Sequence, residues 1–174
     1  MKPTTSLLIT PLLLLTLASA QQQQQQKRPC TQAEIALATG IHLNIQAQHA
    51  EYNGTQKIID IETQNPGDFY NFARLKGQLQ ANIQSGINLR QFNLQIAPEG
   101  NPAIPGLKKY QEAQATEKGQ VDGLCGVYVE DRETLERLME EVKGGILLNE
   151  GNLKNATSVC DFTLVFPPAN EMGV

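Results

Sequence analysis

The side chains in this sequence with chemistry to offer are two histidines, three cysteines and a short run of carboxylates. His42 and His49 stand seven residues apart. On a helix that places them on one face, separated by about 10 Å of rise, too far to chelate one ion directly. No C-x-x-C or H-x-x-x-H spacing accompanies them, so zinc is not expected. A Ser or Cys nucleophile needs a histidine base within hydrogen-bond reach. No G-x-S-x-G, H-E-x-x-H or phosphate-cradling glycine loop is present to build such a site. Both histidines therefore read as surface or half-buried polar residues. Glu130, Asp131, Glu133, Glu136, Glu140 and Glu141 read as acid loading of a helix start and its solvated face, and they match no EF-hand spacing. Carboxylate pairs for glycoside hydrolysis can come from distant positions, but there is no Trp to stack a sugar ring. No catalytic residue, metal or cofactor is expected; a glycan hydrolase is the enzymatic alternative left.

The cysteines depend on where the chain goes. Lys2 precedes an apolar run over residues 7–17, and Ala18-Ser19-Ala20 follows. This is the pattern of a signal peptide cut after Ala20, and the run is too short for a membrane span. Residues 21–26 are all Gln, with nothing to bury and disorder expected, and they end in Lys27-Arg28. A dibasic pair either invites processing after Arg28 or simply solubilises a tail. Removing residues 1–28 takes the formal charge from -4 to -7, the wrong sign for nucleic acid. In an oxidising compartment an odd cysteine count leaves one thiol over. Three cysteines allow three pairings. Cys30, just before the first helix signal, and Cys160, near the end of the last, are the expected pair. Cys125, within Leu124-Cys125-Gly126-Val127, suits a small buried thiol. Asn53-Gly54-Thr55 and Asn155-Ala156-Thr157 are sequons, hence candidate glycan acceptors at Asn53 and Asn155.

The elements that must position these residues are helical. Thr31-Gln32-Ala33-Glu34 has the form of a capping box, and Ala38, Ile41, Ile45, Tyr52 and Ile59 follow at helical spacing. A helix is predicted from Gln32 to about Thr63, with a kink or break at Asn53-Gly54. Asp68 caps a second helix whose stripe runs through Phe72, Leu75, Leu79, Ile83, Ile87 and Leu94. Leu89, Phe92 and Ile96 predict burial of its C-terminal half on a further face. Pro98 stops it. Pro105 suits the first turn of a third helix, anchored by Leu107, Tyr110, Val121 and Leu124. Residues 127–129 read as an extended connection, and Asp131 as the cap of a fourth helix through Leu135, Leu138, Val142 and Ile146. One or two further turns run toward Cys160. Phe162, Leu164 and Phe166, ahead of Pro167-Pro168, either dock on the bundle or hang loose.

The expectation is an all-α bundle of four to five helices with one disulfide. Residues 1–20 are the signal peptide, 21–28 a flexible leader, 29–160 the helical domain and 161–174 a tail. Gly40-Ile41, Gly86-Ile87 and Gly145-Ile146 echo one another, and Asn93-Leu94 answers Asn152-Leu153. Duplication of a helical unit and coincidence among Leu/Ile-rich helices both fit.

An export signal, a Lys-Arg pair, Cys-Thr-Gln-Ala-Glu opening a helix, repeated Gly-Ile, the Ala97-Pro98-Glu99-Gly100-Asn101 loop and a closing Cys160 together resemble small secreted proteins of filamentous fungi. The likeness spans about residues 30–160. It implies an extracellular, non-enzymatic protein, of a kind that includes effectors and virulence factors acting on a host. An alternative expectation is a binder of apolar ligands or surfaces, drawn from the apolar second helix and tail. The partner is extracellular, either a host protein or an apolar ligand, with no transmembrane segment.

Overall fold

The computed structural model describes residues 27–163, apart from the side chains of Tyr110 and Glu112. The expected signal peptide with its cut after Ala20, the Gln run, and Leu164 and Phe166 of the tail lie outside the described residues. Four helices follow one another: α1 (Gln32–Gln64), α2 (Phe69–Ile96), α3 (Ile104–Gly123) and α4 (Tyr128–Ala156). Short loops join them, so neighbours run antiparallel. Around the bundle α1 packs on α2 and α4, and α3 packs on the same two. Two apolar residue sets fill its ends. Leu37, Ile41, Ile45, Ala103, Leu107 and Ala156 pack where α1 begins, called here the tied end. Ile58, Phe72, Leu79, Ile83, Val121, Leu124, Leu135 and Leu138 pack at the opposite, loop end.

Local chemistry explains most boundaries. The Thr31 hydroxyl accepts from the Glu34 N–H at 3.3 Å, and the Glu34 carboxylate accepts from the Thr31 N–H at 2.8 Å. The expected capping box is formed. Asp68 accepts from the Asn71 N–H at 3.1 Å to start α2, and Pro105 lies in the first turn of α3.

Four expectations are corrected. α1 runs unbroken through Asn53-Gly54 for 33 residues. Gly54 lies against α2, where a Cβ would stand 3.3 Å from the Leu79 Cδ1; close helix approach there offsets the glycine's helical cost of about 1 kcal/mol. α4 begins at Tyr128, with Val127 at its N-cap, so residues 127–129 are not an extended connection. Asp131 does not cap it. Its carboxylate instead turns back onto the preceding loop, accepting from the Cys125 and Gly126 N–H groups, each at 2.8 Å. Gly126 has φ 87°, a left-handed conformation that favours glycine, and a Cβ there would also strike the Phe72 ring at 2.8 Å. Finally, the C-terminal half of α2 does not bury a further face, since Phe92 is 53% exposed and Leu89 and Ile96 are only half-buried.

Candidate functional site

Between the two apolar ends lies a layer that is polar and buried. Each helix carries a core-facing stripe stepping by three and four residues. On α1 it runs Leu37, Ile41, Asn44, Gln48, Glu51, Thr55, Ile58 and Glu62, all buried. The register holds while the chemistry changes from apolar to polar and back. α2 contributes Gly86, Arg90 and Asn93, α3 Gln114 and Glu117, and α4 Gly145, Asn149 and Asn152. Such groups are costly to bury unless hydrogen-bonded, and several do pair across the bundle. The Arg90 Nε donates to the Gln114 Oε1 at 2.7 Å, and the Asn149 Nδ2 donates to the Gln48 Oε1 at 2.8 Å. Other atoms accept or donate nothing within the described residues: both oxygens of Glu51 and Glu117, the amides of Asn44 and Asn93, and the Gln114 Nε2.

The layer is duplicated. Gly40, Gln48 and Glu51 of α1 recur 66 positions later as Gly106, Gln114 and Glu117 of α3. Gly86, Arg90 and Asn93 of α2 recur 59 positions later as Gly145, Asn149 and Asn152 of α4. The contacts recur with the residues. The Asn93 side-chain oxygen fills the space left by the absent Cβ of Gly40, and that of Asn152 does the same at Gly106. The α2-to-α3 bond from Arg90 to Gln114 has its counterpart in the α4-to-α1 bond from Asn149 to Gln48. The α1–α2 hairpin and the α3–α4 hairpin thus repeat one arrangement of contacts, in which Gly86-Ile87 answers Gly145-Ile146 while Gly40-Ile41 answers Gly106-Leu107.

At the centre stand Glu51 and Glu117, each 1% exposed, one from each hairpin. Burial pushes the Glu51 carboxyl up to about 8, with the Glu117 charge adding to it. Burial likewise pushes Glu117 up to about 7, reinforced by Glu141. A third buried acid, Glu62, is pushed up to about 7 by burial and then by the nearby Asp131. All three therefore favour the neutral form in the fold.

The loop end carries a cluster of exposed apolar side chains. Phe69, Val127 and Tyr128 border a cavity of about 380 Å³ together with Glu62 and Val129. Val129 is 85% exposed and nearby Tyr70 80%. Cys125 is exposed there, not buried as expected, because Asp131 holds the loop backbone and leaves the thiol outward. That thiol is pushed up by desolvation, with Asp131 and Glu130 contributing, which disfavours the reactive thiolate.

The tied end holds the expected bridge. Cys30 and Cys160 form a disulfide with their Cα atoms 5.0 Å apart, and the Arg28 carbonyl beside it accepts from the Asp161 N–H at 2.8 Å. Arg28, the candidate processing position, also pairs with Glu34 at 2.6 Å. That contact, followed by the Thr31 N–H bond, holds the Glu34 carboxyl down at about 2. Among the described residues Cys30, Glu34 and Cys160 form the cluster whose side chains can ligate metal, but the sulfurs are bridged and the carboxylate is engaged. Asn53 and Asn155 are both exposed. His42 is buried, contrary to expectation, and His49 half-buried; Asp131 is buried within the acidic run read as solvated. Among the described residues no helix is long and apolar enough to cross a membrane. No family model matches the chain, and neither a curated protein nor a solved structure matches it.

Proposed function

We propose that the chain is an exported, non-enzymatic interaction protein, as its resemblance to small secreted fungal proteins implies, and that its partner is extracellular and belongs to a host. The observation that carries this reading is the Cys30–Cys160 disulfide, a cross-link suited to oxidising surroundings. Glycans on Asn53 and Asn155, processing after Arg28 and removal of residues 1–20 belong to the same reading. Intact-mass analysis of protein from culture medium, before and after reduction and deglycosylation, tests export, bridge and sequons together. A deletion strain tests the role: altered colonisation with normal growth in pure culture supports it, and normal colonisation refutes it.

A second reading, a binder of apolar ligands or surfaces, is favoured by the loop end, where Phe69, Tyr70, Val127 and Val129 are exposed together. Clustered exposed apolar groups of this kind often mark contact surfaces. Displacement of a fluorescent fatty acid from the purified protein, lost in Phe69→Ser/Val129→Ser, is the expected result; no binding by the parent chain removes this reading.

A further inference from the structure

The segment ahead of α1 is held at each group that a processing protease would have to take. An endoprotease that cuts after paired basic residues binds the arginine through its own carboxylates. It also takes the flanking backbone in extended form and aims N–H donors at the scissile carbonyl. Here Glu34 already forks the Arg28 guanidinium, at 2.8 and 2.6 Å. Glu34 is fixed in turn by the Thr31 N–H and hydroxyl, at 2.8 and 2.9 Å. The Arg28 carbonyl accepts from the Asp161 N–H at 2.8 Å, and Pro29 forms a parallel bridge with Asp161. The Lys27 ammonium donates to the Thr157 carbonyl at 3.4 Å, at the C-terminal end of α4, where the helix dipole favours a cation. On the far side of the bond Cys30 is joined to Cys160, itself 1% exposed, and Thr31 caps α1. We propose that Lys27-Arg28 is a processing site gated by the fold, open until the Cys30–Cys160 bridge closes and shut afterwards.

The Arg28 side chain is 54% exposed, so the protection comes from pairing and tethering rather than from burial. Lys27 and Arg28 can peel from the surface one bond at a time. Cys30 cannot follow them while it is bridged, and a protease cleft needs residues on both sides of the bond it cuts. Hydrolysis adds one water across the Arg28–Pro29 bond, leaving a carboxylate on Arg28 and an amine on Pro29. The order of events then sets the product. A chain that meets the protease first loses everything ahead of Pro29. A chain that closes its bridge first keeps it, and Lys27 and Arg28 become a strap from the start of α1 to the end of α4. The inference rests on reading Lys27-Arg28 as a processing pair, and export itself is decided separately by the mass of the protein in the medium.

Proline after the scissile bond resists cleavage on its own account, lacking an N–H and holding a fixed φ, so the test is run in a Pro29→Ala background throughout. The purified chain is incubated with an endoprotease specific for paired basic residues, and loss of the residues ahead of position 29 is timed by intact mass. The bridged chain should be cut about a hundredfold more slowly than the Cys30→Ser/Cys160→Ser chain, because cleavage follows the open population and opening gives up roughly two hydrogen bonds to charged groups. Glu34→Gln keeps an acceptor for the capping box but loses the charged fork, and should speed cleavage of the bridged chain several-fold with the bridge still in place. Equal rates with and without the bridge, an unchanged rate in Glu34→Gln, or no cleavage of the Cys30→Ser/Cys160→Ser chain would each overturn the gate.

Discussion

Glu51→Gln should make the protein more stable in mild alkali while changing little in acid. In the fold the Glu51 carboxyl sits at about 8 against an ordinary value of 4.5. A folded-state value raised in this way means that neutral Glu51 is favoured by folding. Its stability is fully present below about pH 4.5 and drains away as the pH rises toward 8. At about 1.4 kcal/mol per tenfold change, that gap is worth on the order of 5 kcal/mol. Glutamine keeps the shape and is neutral throughout, so this loss disappears. Part of the slope survives, because Glu117 is raised as well, though it is no longer opposed by a charge on Glu51. Urea melts followed by circular dichroism, with the disulfide intact, measure the difference at half-unit steps from pH 4.5 to 8.5. Parent and variant should agree within about 1 kcal/mol at the acid end, the usual scale for a near-isosteric change, and separate by several-fold more at the alkaline end. Parent stability that is level or rising from pH 5 to 8, or a variant with the parent's slope, would refute the reasoning.

Further perturbations probe the other contacts. Gly40→Ala should cost roughly 1–3 kcal/mol by overpacking, because the new methyl meets the buried Asn93 oxygen. Adding Asn93→Ala should return part of that loss, and a double-mutant cycle on melts measures the coupling. Asp131→Asn leaves one oxygen where two receive the loop N–H groups and should cost about 1–3 kcal/mol, read as a lower urea midpoint. Replacing both Cys30 and Cys160 with Ser opens a loop closed across 130 residues, and chain entropy alone sets the loss at about 5 kcal/mol, visible as a fall in Tm.

Much of the fold was legible where local chemistry decides it. Thr31 with Glu34, Asp68 with Asn71, and Pro105 each act within a few residues, and the structure bears out all three. The Asn53-Gly54 break failed because the decisive partner, Leu79, lies on another helix. Asp131 looked like a cap because an acid ahead of an apolar stripe usually is one; its real acceptor role faces backward, a choice that only the Gly126 turn dictates. The buried layer escaped notice for a different reason. Following apolar residues alone led α1 through Tyr52 and Ile59, which are only half-buried, when the core stripe passes through Asn44, Gln48 and Glu51. Following the three-and-four spacing regardless of polarity would have found it, and its recurrence 66 positions on would have marked the pair Glu51 and Glu117.

The sulfur bridge also makes the domain a closed ring, because it joins the start of the first helix to the end of the last. A single protease nick in the surface turn between the second and third helices would free nothing. The nicked molecule would gain only the mass of one water and would still migrate as one species without reductant. With reductant it would fall into two pieces, each one of the two hairpins. Proteases would dismantle such a ring less readily than an open chain of the same helices, since two cuts, not one, are needed to lose a part.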